Sequence, residues 1–434
     1  MAPLQALDQL TIEADGAAPL DVETAAWLAR LQAAVDPRDL NISLGGAPRD
    51  PEPIVTRDPY GNWRAGRYIG HVSFEGRSLE IKPRLGEVVL GEWIAAASNL
   101  LVAPARRDYE SQETFLARLV AVVWCQMLAR AARHGGPSLT RTIRTRSRYI
   151  SGQLDVPATA SERATGGQFA VSRTTGRDMD NAIAEAIVCA HRALSASLGA
   201  VRWETPQVTG LMPHLRAAVG SRPPLPTRAE VARVRLSPIR RPYSQLAQFS
   251  LQVAQLRGLS DVGSGDASGL LIDVAELWEL FVLSCLREAL SPFRIDHGGS
   301  RIGEDSLLRS EVTLGAKMGR MKPDFLVGDE DGPGLVADAK YKRLKSSRSR
   351  PTGVEPSDLY QLSAYASHYL PAGSGRGFLL YPRSEPEAEG PSAVTDGPWL
   401  STTGNGLEFR TLATSRDEAV MELSQCFDLT ALRD

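Results

Sequence analysis

MKPDFLVGDEDGPGLVADAKYKR, residues 321–343, decides how this chain is read. Two short apolar runs, Phe325–Val327 and Leu335–Ala337, flank GDEDGPG, a Gly- and acid-rich stretch that predicts a tight turn between two strands. Asp324 begins the first predicted strand. Asp338 and Lys340 lie two apart on the second, so their side chains leave the same face of a sheet. Pairing the two strands brings two carboxylates and one ammonium together at one end of it. Two hard carboxylates, with the Ala339 carbonyl among them, suit Mg²⁺, an ion that takes one or two carboxylates and keeps several waters. A lysine beside that ion can orient or deprotonate a water for attack on phosphorus, while the ion stabilises charge on the phosphate oxygens. This is the donor set that phosphodiester hydrolysis requires.

Working outward, DLYQLSAYASHYL (358–370) predicts a helix and GFLLYP (377–382) an apolar strand. Upstream, LLIDVAELWELFVLSCLREAL (270–290) predicts a long apolar helix carrying Glu276 and Glu279, followed by a strand in LLRSEVTLG (307–315). The order helix–β–β–β–helix–β predicts a small mixed α/β layer. In the first half, Tyr68, Val72 and Phe74, then Leu79 and Ile81 after the turn EGRS, predict a hairpin. Helices are predicted over Trp93–Leu101, Glu113–Arg133, Asp178–Leu198 and Pro242–Leu259, with a short strand in SRYISGQLDV (147–156) and a linker at RPPLPT (222–227). DVGSGDASG (261–269) reads as a flexible connection. The expected organisation is α/β (α+β): an N-terminal mixed β/helical region over 1–262 and a C-terminal domain over 263–434 with an acidic tail.

The bulk properties exclude several classes. The 434 residues are 43% hydrophobic and 23% charged, ordinary for a globular protein and against disorder as the main state. No apolar run is long enough for a membrane span, and MAPLQALDQL does not read as a secretory signal. The four cysteines are scattered and never form Cys-x-x-Cys, which fits a reducing cytoplasm. Only Cys285 and Cys426 lie near the 321–343 segment, against an iron–sulfur cluster. No Gly-x-Ser-x-Gly elbow and no phosphate-binding Gly-x-x-x-x-Gly-Lys loop occurs, so a nucleotide-driven step must come from a partner.

Asp324…Asp338-Ala339-Lys340 resembles the PD-(D/E)XK nuclease signature. Gln361-Leu-Ser-Ala-Tyr365 matches the Q-x-x-x-Y element on the helix after the catalytic strand, as in RecB-like nucleases; at spacing four, Gln361 and Tyr365 share a helix face. Glu279 falls where these nucleases often hold a further acidic ligand, with Glu276 one turn earlier as its rival. Over a longer stretch, SLEIKPRLG, RYISGQLDV, LLIDVAELWELFV, KPDFLV, VADAKYKR, DLYQLSAYA and GFLLYP occur in the order seen in McrC-type restriction subunits, which the chain resembles from about Tyr68 to Pro382. The resemblance implies a restriction-endonuclease-like C-terminal domain that cleaves DNA with Mg²⁺. Asp324, Asp338, Ala339 and Glu279 would hold the metal, Lys340 would handle the water, and Gln361 would support the site. It also implies a McrB-type AAA+ partner, hydrolysing GTP or in some relatives ATP and recognising modified DNA. The N-terminal region would dock into that ring.

Other readings stay open. Lys342, Arg343 and Lys345 are candidates for phosphate contact or an exposed basic loop. Tyr341 alternates to the face opposite Lys340 and reads as packing. The arginines at 141–148 could meet DNA, a partner, or only solvent. The six histidines form no metal-spaced pair and read as structural or exposed. A non-catalytic activator of the ring and a stand-alone RecB-like repair nuclease are the competing functions.

Overall fold

A computed structural model describes residues 4–13, 20–42, 51–98, 112–199, 203–255, 267–298, 306–313, 316–329, 332–342, 353–383 and 397–426. The chain forms two compact units. One joins residues 1–108 to 264–434, and the other comprises 109–263. The chain returns to the first unit at residue 264. The first hundred residues, however, fold with the C-terminal part and not with the segment that follows them. No helix among the described residues is long and apolar enough to cross a membrane.

The first unit contains two large sheets and two two-stranded ribbons among the described residues. The five-stranded one uses β1 (Leu4–Leu7), β2 (Asn41–Ile42), β3 (Tyr68–Phe74), β4 (Arg77–Lys82) and β5 (Ser268–Asp273), in the order β1-β4-β3-β5-β2. The β3–β4 hairpin is the one expected. Its turn residues Glu75 and Gly76 both have positive φ, 50° and 72°, as a two-residue hairpin turn with the right twist requires. Tyr68, Val72, Phe74, Leu79 and Ile81 pack on Trp27, Leu28 and Leu31 of the helix α1 (Val22–Ala34).

β5 departs from the sequence expectation, which placed Leu270–Asp273 inside the following helix. Those residues pair antiparallel with β3 (Leu271 with Gly70) and parallel with β2. The helix α3 (Val274–Ala289) begins only after Asp273, whose Oδ1 accepts the Ala275 N–H at 2.9 Å. Leu270, Leu271 and Ile272 are fully buried, so this strand has no polar alternation to betray it. The helix α2 (Glu87–Ser98) lies against α3. Trp93 meets Trp278 and Phe281 with ring centroids 4.8 and 5.5 Å apart.

The second sheet carries the 321–343 segment. Its strands are β6 (Arg294–His297), β7 (Phe325–Gly328), β8 (Pro333–Ala339), β9 (Arg376–Pro382), β10 (Trp399–Leu400) and β11 (Gly406–Leu412), in the order β6-β7-β8-β9-β11-β10. β7 and β8 are antiparallel with Phe325 opposite Ala337, as the hairpin reading predicts. β8 and β9 are parallel, and the helix α4 (Pro356–Tyr369) provides the crossover between them. Leu362, Tyr365 and Ala366 of α4 are buried on Val336, Leu379 and Tyr381 of the sheet. The strand expected in 307–315 is Ser306–Arg309, which pairs with Lys317–Arg320 as a separate ribbon. β6, β10 and β11 were not anticipated.

The second unit holds the helices Gln112–Ala132, Ala182–Leu198 and Pro242–Gln255 at their expected places. The basic run proves to be a strand, Leu139–Ser147, paired with Ala170–Asp178, while SRYISGQLDV contributes only Gln153–Leu154. Three of its arginines meet acids: Arg141 with Asp178 at 3.0 Å, Arg144 with Asp155 at 3.2 Å, and Arg146 with Glu162.

Gly70 lets β3 approach β5. Its φ is +133°, and an added Cβ would lie 2.0 Å from the Leu270 carbonyl oxygen. Gly76 also has positive φ but open space around it. Gly70→Ala is therefore expected to destabilise the first unit by roughly 3 kcal/mol and Gly76→Ala by about 1 kcal/mol. Denaturant midpoints followed by tryptophan fluorescence check this. Equal losses for the two variants would contradict the close-approach argument.

Candidate active site at the end of β8

Continuing the β7–β8 register places Asp324 across from Asp338. The Ala339 N–H donates to Asp324 Oδ2 at 2.8 Å, which fixes one carboxylate against the strand that bears the other. Asp338 is buried, and Lys340 Nζ lies 2.6 Å from its Oδ2. The two side chains thus share the face that period-two alternation predicts. Lys340 follows the last residue of β8, yet its N–H still donates to the Leu380 carbonyl of β9 at 2.9 Å. The indole N–H of Trp278 reaches the same carbonyl oxygen at 3.2 Å.

Gln361 and Tyr365 do share a face of α4, and it is the face toward Lys340. Lys340 Nζ donates to Gln361 Oε1 at 2.8 Å. Gln361 Nε2 donates to the Tyr365 hydroxyl at 2.8 Å, and that hydroxyl donates to the Lys322 carbonyl at 2.9 Å. The relay runs back to the residue before Pro323-Asp324 and closes a ring through both strands. Burial alone would push the Lys340 pKa down. The carboxylates of Asp338, Asp324 and Asp358 outweigh that and hold it above the ordinary lysine value. Lys340 is therefore a cation at neutral pH. Asp358, 4.0 Å from its Nζ, was not anticipated as part of this group.

Glu276 and Glu279 are both buried on α3. The Glu279 carboxylate lies 2.7 Å from His297 Nε2 on β6. His297 pairs with Phe325, the neighbour of Asp324, and stacks on its ring. The Gly298 N–H donates to the Asp324 carbonyl at 3.1 Å. Glu279 is thereby linked to β7, which starts directly after Asp324. His297 was missed because its partner lies on another element and no spacing in the sequence couples them.

Lys342, a candidate for phosphate contact or for an exposed basic loop, meets acids of this chain. Its ammonium is 2.7 Å from Glu355 and 3.2 Å from Asp358, at the start of α4. Those acids come more than ten residues later, beyond any local charge pattern. Arg343 and Lys345 lie outside the described residues.

The chemistry of the donor set fits a hard divalent cation. Asp324 and Asp338 offer carboxylate oxygens and Ala339 a backbone carbonyl, and Mg²⁺ needs no more than two protein carboxylates. Among the described residues, no cluster of three or more His, Cys, Asp or Glu side chains is placed to hold an ion by itself.

The family model for the McrBC 5-methylcytosine restriction system component matches residues 63–382. Among solved structures, the chain resembles one from the refined half-complex of the tetradecameric assembly of Thermococcus gammatolerans McrB AAA+ hexamers with bound McrC. The TM-score is 0.56 at 14% identity, covering 99% of this chain and 100% of that one. A chain in the cryo-EM structure of the Thermococcus gammatolerans McrBC complex gives a TM-score of 0.38 at 13% identity, over 68% of this chain and 89% of that one. No match is found among curated proteins. The fold is thus shared along nearly the whole length, the family match takes in both Asp324…Lys340 and Gln361…Tyr365, and the chain belongs to the McrBC family of 5-methylcytosine restriction system components.

Proposed function

We propose that this chain is the DNA-cleaving subunit of a McrBC-type restriction complex, an Mg²⁺-dependent endodeoxyribonuclease driven by a McrB-type AAA+ ring. The observation that carries the reading is the convergence of Asp324, Asp338, Lys340 and Gln361 at one end of β8. Family membership and the likeness to a chain from an assembly of McrB hexamers with bound McrC support the partner. The ring supplies nucleotide hydrolysis and the choice of modified DNA.

Asp324, Asp338 and the Ala339 carbonyl would hold Mg²⁺, while Glu279 meets His297 on the neighbouring strand. Once bound, the ion supplies Lewis-acid stabilisation of a phosphate oxygen and an acidified water. Lys340 would donate hydrogen bonds to the attacking water or to the oxygens that gain charge at phosphorus. Gln361 fixes the ammonium through its oxygen and is itself fixed by the Tyr365 hydroxyl. The carboxylates and ammonium sit within a mostly buried sheet end, where each contact is stronger than in water.

Three outcomes follow from this reading. With ring, nucleotide and Mg²⁺, the wild-type chain should cut methylated DNA, and Asp338→Asn or Lys340→Ala should lower the rate by about 10³-fold or more while nucleotide hydrolysis by the complex persists. Cutting by both variants at the wild-type rate would sink the assignment; wild-type hydrolysis without any cutting in Mg²⁺ or Mn²⁺ would make the chain an activator. Chelation should stop cleavage, and added Mg²⁺ should restore it in the same sample. Lys342→Ala should change cleavage by no more than about 3-fold, because its ammonium is already engaged by Glu355 and Asp358. A loss as large as that of Lys340→Ala would show that Lys342 leaves those acids to meet DNA.

A further inference from the structure

The residue after Lys340 meets residues just past the ends of β1 and β4 of the five-stranded sheet. Tyr341 is buried, its ring edge toward Trp93 with centroids 6.0 Å apart. Its hydroxyl accepts from Arg84 Nε at 3.2 Å, and the Arg84 guanidinium lies 4.4 Å from the ring centroid. Arg84 follows the end of β4 and is sealed, with 1% of its side chain exposed. Asp8, just past β1 and fully buried, lies 3.6 Å from Arg84 Nε and accepts the Arg84 N–H at 2.6 Å. The Asp8 N–H donates in turn to the Lys82 carbonyl at 2.9 Å.

A second grip comes from the neighbour of Asp8. Gln9 Nε2 donates to the Tyr341 backbone carbonyl at 2.5 Å. Among the described residues only Gln9 and Glu75 are non-glycine residues with positive φ, and Glu75 is explained by its hairpin turn. Gln9, at φ 56°, occupies the third position of a turn that the Leu10 N–H closes on the Leu7 carbonyl at 3.1 Å, and its side chain meets the end of the catalytic strand.

A guanidinium–carboxylate pair sealed from water is a poor choice for stability alone, since apolar residues of equal volume commonly do as well. What this pair adds is directional hold on a single residue. Lys340 sits between two anchors, its own N–H on the Leu380 carbonyl and the clamped Tyr341 behind it. A shift of the backbone at Tyr341 would displace the Lys340 ammonium from Asp338 and Gln361.

We propose that Asp8, Arg84 and Tyr341 are positioning residues that set Lys340 in place, so that the five-stranded sheet is part of the nuclease machinery. The catalytic half of this claim rests on the nuclease reading above. The backbone coupling does not, and it can be measured without cleavage. Tyr341→Phe removes one hydroxyl, and Arg84→Met removes the charge at similar volume. In the full chain, amide exchange over residues 338–342 should accelerate at least about 10-fold in both variants, with exchange in the 109–263 unit unchanged. In the complex, kcat for DNA cleavage should fall about 3- to 10-fold for Tyr341→Phe and about 10- to 100-fold for Arg84→Met, with KM for DNA within about twofold. Unchanged exchange at 338–342 in both variants overturns the coupling. Faster exchange with an unchanged kcat overturns the catalytic role. If the wild-type chain cuts no DNA, the nuclease reading fails while the exchange arm still decides whether the sheet positions the strand.

Discussion

The ion pair between Asp338 and Lys340 is the constraint around which the second sheet is arranged. Both groups lie at the end of a strand whose neighbours on either side are buried, and charges taken out of water demand close partners. The partners come from three directions. Asp324 arrives by the β7–β8 hairpin, Gln361 by the α4 crossover, and the backbone of β9 accepts the Lys340 N–H. Each of these elements has an apolar reason to be where it is. The carboxylates and the ammonium are held by packing that would exist without them, which is how a costly cluster is kept in one geometry.

Much of that cluster could be read from the chain because it is locally encoded. Two apolar runs about a Gly-rich turn specify the hairpin, and alternation puts Asp338 and Lys340 on one face. A spacing of four puts Gln361 and Tyr365 on one side of a helix. What could not be read involves partners far apart in sequence. β5 looked like the first turn of α3 because Leu270–Ile272 are buried on both sides and show neither period, and its partner β3 lies in the first hundred residues. His297 gave no sign of meeting Glu279, and Lys342 none of meeting Glu355 and Asp358. Tyr341 was correctly assigned to packing, but nothing in the sequence indicated that Arg84 and Asp8 are what it packs on.

The first hundred residues therefore take on a different meaning once the fold is known. They were expected to belong with the docking half of the chain, yet their sheet includes β5 and their side chains reach the residue next to Lys340. Arg67 shows the same interlocking, since it donates to Asp273, the cap of α3, at 2.9 Å. α3 in turn carries Trp278 to the Leu380 carbonyl and Glu279 to His297. The helix start, the strand end and the N-terminal hairpin are thus tied by directional polar contacts as well as by apolar burial.

β5 also orders events during synthesis. The β3–β4 hairpin and α1 leave the ribosome early, but the interior strand of their sheet is encoded after the whole 109–263 unit, and Arg67 and Asp273 are 206 positions apart. Until residue 273 emerges, β3 presents an unpaired edge with Gly70 at its centre, the kind of edge that recruits strands from other chains. A nascent chain that stalls within the intervening unit would expose that edge for as long as the stall lasts.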